Sequence, residues 1–496
     1  MASAAYVSIP SSANVAGVVY GTKWTSALTY SFPDSTTDYG SYTHSATGFV
    51  QVSFEQRQAV RQILEGSSAY SGGPVFKYGS FEAVCNINIS EAADFLGYSD
   101  LMFGQVDTFD GSNLGTARVA DFPIVEGPPV RNSAGDVFFG DDPTNSYRNP
   151  IPGSYEWQTH IHEIGHAMGL KHGHNAGSPF NSVTLPYDRD SMEFSVMTYR
   201  SYVGGSTTAG YSNETYGYAQ TLMMSDIAAL QYLYGADFTT NAGNTIYTWS
   251  PTTGEMFLNG AGQGAPGANR IFLTIWDGGG SDTYDMSNYG NAVAINLNPG
   301  LWSTTSNAQK AYLGYGNYAR ANVFNAYLYN GDARSYIENA IGGSGDDVIV
   351  GNAVRNVLRG SAGADFLSSL GGSDTLIGGV GRDTLNGGTG RDFFDFNGKT
   401  ESTAGSNRDV IQSFQHGEDD TIDLRTIDAV TGGINNAFRF IGADTFAHFK
   451  ATHAGVYGMV RVTAANLIQI DIGGNKTVDM EIKVIGSHLV ASDFLL

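Results

Sequence analysis

From residue 341 to residue 394 the chain repeats itself every nine residues, and that period constrains the fold more than any other feature of its 496 residues. The six units read IGGSGDDVI, VGNAVRNVL, RGSAGADFL, SSLGGSDTL, IGGVGRDTL and NGGTGRDFF. Each closes on an apolar residue: Ile349, Leu358, Leu367, Leu376, Leu385 and Phe394. Two positions earlier stand Asp347, Asn356, Asp365, Asp374, Asp383 and Asp392. A single unit cannot bury its own apolar side chain, so successive units must stack, and a parallel β-roll satisfies that demand. A glycine-rich turn of six residues then offers carbonyl oxygens and one carboxylate, and the three-residue strand after it points its apolar residue inward. Stacked carboxylates repel one another, and calcium between the turns would neutralise them with all-oxygen ligation. The candidate calcium ligands of the repeat are Gly343, Gly345, Asp347, Gly360, Gly363, Asp365, Asp374, Gly379, Gly381, Asp383, Gly388, Gly390 and Asp392. Unit 350–358 lacks the aspartate and most glycines, and unit 368–376 opens with Ser-Ser-Leu, so weak or empty sites are expected at those turns.

The remaining composition fits such a chain. Glycine, at 64 residues, is about twice average usage, and charged residues are scarce at 15%, which argues for tight turns rather than an acidic tail. Acidic residues outnumber basic ones 48 to 26, so nucleic acid and anionic membrane surfaces are poor partners. No window is apolar for long enough to span a membrane. Cys85 is the only cysteine, which excludes an intramolecular disulfide, and it reads as a small buried residue. Residues 1–20 read as a flexible leader or short propeptide; without a basic n-region or an apolar h-region, no cleavable secretion signal is expected there.

Ahead of the repeat the periodicity changes. Leu28 to Phe32 alternates as a strand, and Asn86–Ile89 and Gly135–Phe139 read as further strands. Ser53 and Gln56 stand at capping-box spacing before a helix running to Glu65. A helix over Tyr155–Met168 and another over Ala219–Tyr234 complete an α+β region ending near Gly235. The first of these carries His162-Glu163-Ile164-Gly165-His166, and Gly169 and His172 come after it. Histidines four residues apart leave one helical face together and can hold one metal ion. Gly169 can end the helix, the chain turns back, and His172 supplies a third ligand. Glu163 then stands as the base for a water at a zinc site. His160 and His174 flank the motif without ligand register, and the other five histidines are scattered.

These residues resemble the serralysin family of secreted bacterial zinc metalloproteases, within the metzincins, from about Val19 to Leu496. Ser195-Val196-Met197-Thr198-Tyr199 resembles the family's Met-turn. The resemblance implies that Met197 floors the zinc ligands and that Tyr199 is a switchable phenol, an additional ligand at rest that swings to stabilise the oxyanion. Ile275–Thr283 resembles the first calcium loop, which adds Asp277, Gly279, Gly280 and Asp282; Ile337–Gly343 resembles the start of the roll and adds Glu338. Asn241 stands where the family often has arginine. The tail Ala491–Leu496 resembles an uncleaved signal for a type I exporter.

The expected fold is therefore an α+β metzincin-like catalytic domain (21–240) followed by a calcium-binding parallel β-roll with a C-terminal β region (241–496). The expected activity is peptide-bond hydrolysis by a water activated at one zinc, with Glu163 as general base and several structural calcium ions. Substrate would lie along an edge strand near Gly115–Ala120. Expected partners are protein or peptide substrates, the exporter and a proteinaceous inhibitor, for a monomer found outside the cell or at its surface. The rival reading is an RTX surface or adhesion protein with a vestigial zincin domain. Retention of Glu163 argues against it. An RTX lipase would need a G-x-S-x-G elbow with a supporting triad, and the catalytic half offers none.

Overall fold

In the computed structural model the described residues are 2–39, 46–66, 78–92, 99–109, 112–113, 118–123, 133–141, 147–430, 436–453 and 455–496. They divide into two compact units. The first comprises 1–242, 252–279 and 307–335; the second comprises 243–251, 280–306 and 336–496. The first passage between units falls beside the expected boundary at 240, but the chain then returns twice to the first unit. Ion pairs hold the returning segments there: Arg270 binds Glu214 at 2.6 Å and Arg320 binds Glu193 at 2.9 Å.

The first unit is built on a mixed sheet. Its main path consists of β1 (Leu28–Ser31), β2 (Ile89–Glu91), β3 (Leu101–Val106), β4 (Arg118–Ala120) and β5 (Asp136–Gly140), in the order β4-β5-β3-β1-β2, and Val50–Gln51 joins off this path, antiparallel to β3. Only β4 on the main path runs antiparallel to its neighbour. Every residue of β3 and β5 is buried, so the sheet is covered on both faces there. Helix α1 (Phe54–Glu65) begins as its capping box requires: Ser53 Oγ accepts from Gln56 N and Gln56 Oε1 accepts from Ser53 N. Helix α2 (Tyr155–Ala167) is capped by Ser154 and buried from Trp157 onward. Helix α3 (Met224–Tyr234) starts five residues later than its apolar pattern suggests. Asp226 takes the Met223 N–H, while Gln220 N donates to the Phe272 carbonyl and so keeps 219–222 out of the helix. The strand expected at Asn86 likewise begins at Ile89, because Asn86 N is committed to the carbonyl of Gly235.

Residues 2–20 are tied to the first unit by strand pairing and burial. Ala4–Tyr6 pairs antiparallel with Thr22–Trp24, and Ala13–Ala16 forms a short helix. Ala16, Val18 and Val19 are buried, and Asn181 Nδ2 donates to the carbonyls of Ala16 and Val19 at 2.6 Å. The apolar run Ala16 to Tyr20 is what composition alone undervalued: three of its side chains belong to the core.

In the second unit Val348 pairs with Phe366 and Phe366 with Thr384, a step of 18 residues, or two nonapeptides. Asn339, Val357, Thr375 and Phe393 repeat that step in a separate sheet. Alternate units therefore feed two parallel stacks. Ile349, Leu358, Leu367, Leu376, Leu385 and Phe394 are all fully buried. Two strands exceed the expected three residues, Val357–Ala362 and Thr375–Val380, and pair onward through Ala362 and Val380. The tail strand Phe494–Leu495 pairs with Ile422–Asp423.

Candidate metal centre

Helix α2 places His162 and His166 one turn apart, and the segment beyond its C-terminus brings the chain back toward them. Gly169 takes a φ of +95°, and a Cβ there would lie 2.6 Å from the Thr22 carbonyl, so only glycine fits the exit. The returning segment pairs with the N-terminal one: Tyr20 N donates to the Gly169 carbonyl at 2.9 Å and Lys171 N to that of Val18 at 2.8 Å. His172 then faces the helix. Its Nε2 lies 3.1 Å from His162 Nε2 and 3.0 Å from His166 Nε2. Three nitrogens bound to one tetrahedral zinc at about 2.0–2.1 Å would stand roughly 3.3 Å apart, so the donor set fits that ion. Among the described residues this is the group of histidine, cysteine or carboxylate side chains that converges as metal ligands do.

The outer nitrogens decide which lone pairs point at the metal position. His162 Nδ1 and His166 Nδ1 lie 2.7 Å from the carbonyls of Val196 and Leu170, contacts that place the hydrogen on Nδ1 and leave Nε2 for a metal. The Val196 carbonyl also accepts from Gln158 Nε2 at 3.0 Å. Met197 is fully buried, and a Cβ on Gly165 would strike its sulfur at 2.7 Å, so the thioether packs directly beneath the helix between the two histidines. Asp226 anchors this turn from α3, accepting from Ser195 Oγ and, at 2.8 Å, from Val196 N. Burial pushes its carboxyl up to about 7 against the pull of those donors. Buried Lys171 donates to the carbonyls of Asn175 and Val183 at 2.8 Å and so fixes the loop beyond His172.

Glu163, His166, His172 and Tyr199 line one cleft of about 530 Å³. The Tyr199 ring stands 4.4 Å from that of His172 and 5.8 Å from that of His162. Of the expected substrate-binding stretch, 118–120 forms β4 at the sheet edge, and 115–117 lie outside the described residues. His160 is buried, stacked on Phe139 at 4.3 Å and bonded to the Glu156 carbonyl; burial holds its pKa down to about 4, which suits a neutral structural ring. Cys85 is buried with its thiol pKa pushed up.

The repeat aspartates form two ladders. Asp365 Oδ1 accepts from Asp347 N, and Asp383 Oδ1 from Asp365 N; Asp374 and Asp392 serve the alternate stack. The second oxygens of Asp365, Asp383 and Asp392 are buried without a hydrogen-bond partner. Burial first, with neighbouring carboxylates adding to it, raises Asp365 and Asp392 to about 7. Glycine carbonyls of one coil face the next: a Cβ on Gly390, at φ +108°, would lie 1.8 Å from the Gly372 carbonyl. Orphaned anionic oxygens beside carbonyls suit calcium. Of the other candidates, Gly343 N donates to Asp347 Oδ2, Glu338 accepts from Asp282 N, and Gly279 N donates to Asp277. Gly345, Gly363, Gly381 and Gly388 lie in the stacked turns, Gly360 and Gly379 fall within the strands Val357–Ala362 and Thr375–Val380, and Gly280 packs on the Gly243 carbonyl. In the aspartate-poor unit, Asn356 Nδ2 donates to the Glu338 carbonyl at 2.9 Å, and Asn352 Nδ2 to those of Leu297 and Ile337.

Asp226, Lys171 and Tyr20 went unnoticed in the sequence. An acid in the first turn of an apolar helix, and the run Val18-Val19-Tyr20, were the available signals.

Residues 236–496, just over half of the chain, match the family described as Peptidase M10 serralysin C terminal. Serralysin C of Dickeya chrysanthemi is 37% identical over 226 residues, covering 45% of this chain and 42% of that protein. Serralysin B of the same organism is 32% identical over 330 residues, covering 65% and 58%. Metallopeptidase AprA of Pseudomonas marginalis is 29% identical over 329 residues, covering 65% and 59%. The chain thus spans about half the length of the curated relatives it matches.

Proposed function

Because the chain belongs to the serralysin family, we propose that it is a secreted zinc-dependent endopeptidase. The convergence of His162, His166 and His172, with two outer nitrogens held by carbonyls and Glu163 in the same cleft, carries this reading. A zinc ion bound there supplies Lewis acidity toward water and the peptide carbonyl. Glu163 takes the proton of the attacking water and returns it to the amide nitrogen as the peptide bond breaks. The Tyr199 phenol donates a hydrogen bond to the oxyanion. Val196 and Leu170, through their carbonyls, hold the imidazoles in register throughout. Residues 21–240 form the catalytic domain in this reading, and 241–496 a calcium-binding β-roll that carries the signal for a type I exporter. In a calcium-poor cytosol the roll's buried carboxylates oppose folding, and millimolar calcium outside the cell relieves that opposition. No helix among the described residues is long and apolar enough to cross a membrane.

Hydrolysis of casein by purified protein with added calcium tests the reading. Loss of activity on zinc chelation, recovery with zinc, and loss in Glu163→Ala are expected. An inactive, folded, zinc-loaded wild type would overturn it.

A further inference from the structure

Tyr199 stands between two residues whose side chains bind one carboxylate. Asp190, buried ahead of the turn that carries Met197, accepts from Thr198 Oγ1 with Oδ1 and from Arg200 Nε with Oδ2, the latter at 2.7 Å. Thr198 Oγ1 in turn accepts from Arg200 N at 3.2 Å, and the Arg200 carbonyl accepts from Met192 N at 2.9 Å. From the other side Tyr211 Oη donates to the Thr198 carbonyl at 2.6 Å. A second arm of the Arg200 guanidinium reaches the Gly205 carbonyl. The backbone is thus pinned immediately before and after Tyr199. The Tyr199 ring is partly exposed, 4.9 Å from that of His174 and 6.4 Å from that of Tyr211, which it meets edge-on. With its neighbours fixed, the phenol moves only by rotation about its own side-chain bonds.

We propose that Asp190 is a positioning residue for the Tyr199 phenol, with Tyr211 as its second support. The inference rests on the peptidase reading and gives this carboxylate a part in it. Stability alone does not account for Asp190. A buried ion pair recovers little beyond the cost of desolvating it, and an apolar side chain could fill the same space. An apolar side chain would supply no direction. The two carboxylate oxygens fix the hydroxyl of one neighbour and the planar guanidinium of the other, and with them the path of the main chain between. A phenol that must reach an oxyanion depends on that path, because a misplacement of about 1 Å costs on the order of 100-fold in rate. Asp190 therefore acts through Tyr199 and touches no reacting atom itself.

A double-mutant cycle on one internally quenched peptide, with kcat and KM measured separately, tests this. Asp190→Asn should lower kcat about 10–100-fold and Tyr211→Phe about 3–10-fold, with KM within about 2-fold and zinc stoichiometry at the wild-type value. In a Tyr199→Phe background either change should cost less than about 2-fold. Tyr211→Phe removes a single hydroxyl and carries the test alone if Asp190→Asn does not fold. Losses that are equal with and without the Tyr199 hydroxyl would overturn the proposal, because they assign both residues to the fold. Copper(II) bound at His162, His166 and His172 reads the phenol without turnover, since a phenolate ligand gives a visible charge-transfer band. Wild type should show that band, Tyr199→Phe should lack it, and Asp190→Asn should shift or weaken it. If wild type cleaves no peptide while the band depends on Asp190, the peptidase reading fails and the positioning stands. If both variants leave rate and band unchanged, the positioning falls.

Discussion

At the residue scale, the side chains that tune the metal site matter as much as those that face it. In the proposed mechanism Glu163 carries the proton, so Glu163→Ala should lower kcat/KM by about 10²–10⁴-fold while zinc stoichiometry stays at the wild-type value. Zinc lost together with activity would assign Glu163 a structural role instead. In the same mechanism Tyr199→Phe removes one donor to the oxyanion, and kcat should drop about 10²–10³-fold with KM little changed. Asp226 touches no candidate ligand, yet it holds Val196 N while the Val196 carbonyl holds His162. Asp226→Ala leaves buried donors unpaired, at a cost of about 2–4 kcal/mol in urea unfolding, and should weaken zinc affinity about 10–100-fold. A variant with wild-type zinc affinity would show that Val196 keeps its place without Asp226. The three histidines were legible because helical spacing alone brings two of them together. Asp226 was not, because Ser195 and Val196, the partners through which it acts on the site, lie 31 and 30 residues away along the chain.

Among the elements, the repeat stack has the more unusual energetics. Asp365 and Asp392 are raised to about 7 and Asp409 to about 8, chiefly by burial and then, after opposing hydrogen bonds, by neighbouring carboxylates. A carboxyl whose folded pKa lies above its unfolded value near 3.9 favours folding at acid pH, and that contribution is lost as pH rises through the folded value. The calcium-free second unit should therefore lose stability progressively from about pH 4, the unfolded value, up to about pH 8. Its thermal transition, followed by circular dichroism in a calcium chelator, should move down over that range, and millimolar calcium should flatten the dependence. A calcium-free transition that rises with pH would contradict the buried-carboxylate account. Gly390→Ala would force a Cβ to 1.8 Å from the Gly372 carbonyl, so it should destabilise the stack by about 2–4 kcal/mol even with calcium present. Period and inward residue were readable here from nine-residue spacing. The alternation of units between two sheets was not, since only the pairing of Val348 with Phe366 reveals an 18-residue coil.

For the whole molecule, two compact units, one with the three converging histidines and the other with the repeat carboxylates, imply two chelator responses under the proposed reading. Zinc removal should abolish proteolysis and leave the β-sheet signal intact, while a calcium-selective chelator should first reduce that signal. Loss of both properties together at every chelator concentration would contradict that separation. The sequence by itself determined what depends on short spacing: the His162–His166 pair, the Ser53 capping box, and a periodic stack with Leu367 and its equivalents inside. Local geometry dictates these features, because a helix repeats every 3.6 residues and a glycine-rich turn repeats with its own unit. Only the tertiary structure decided the rest. It folded residues 13–20 against the turn after α2 and placed Tyr20 in the cleft, where composition suggested a loose leader. It began α3 at Met224 by giving the Met223 N–H to Asp226, and it filled the aspartate-poor turn with the amides of Asn352 and Asn356. Each of these outcomes rests on a hydrogen bond or buried surface between residues distant along the chain. Periodicity carries no record of such a partner until the fold supplies it.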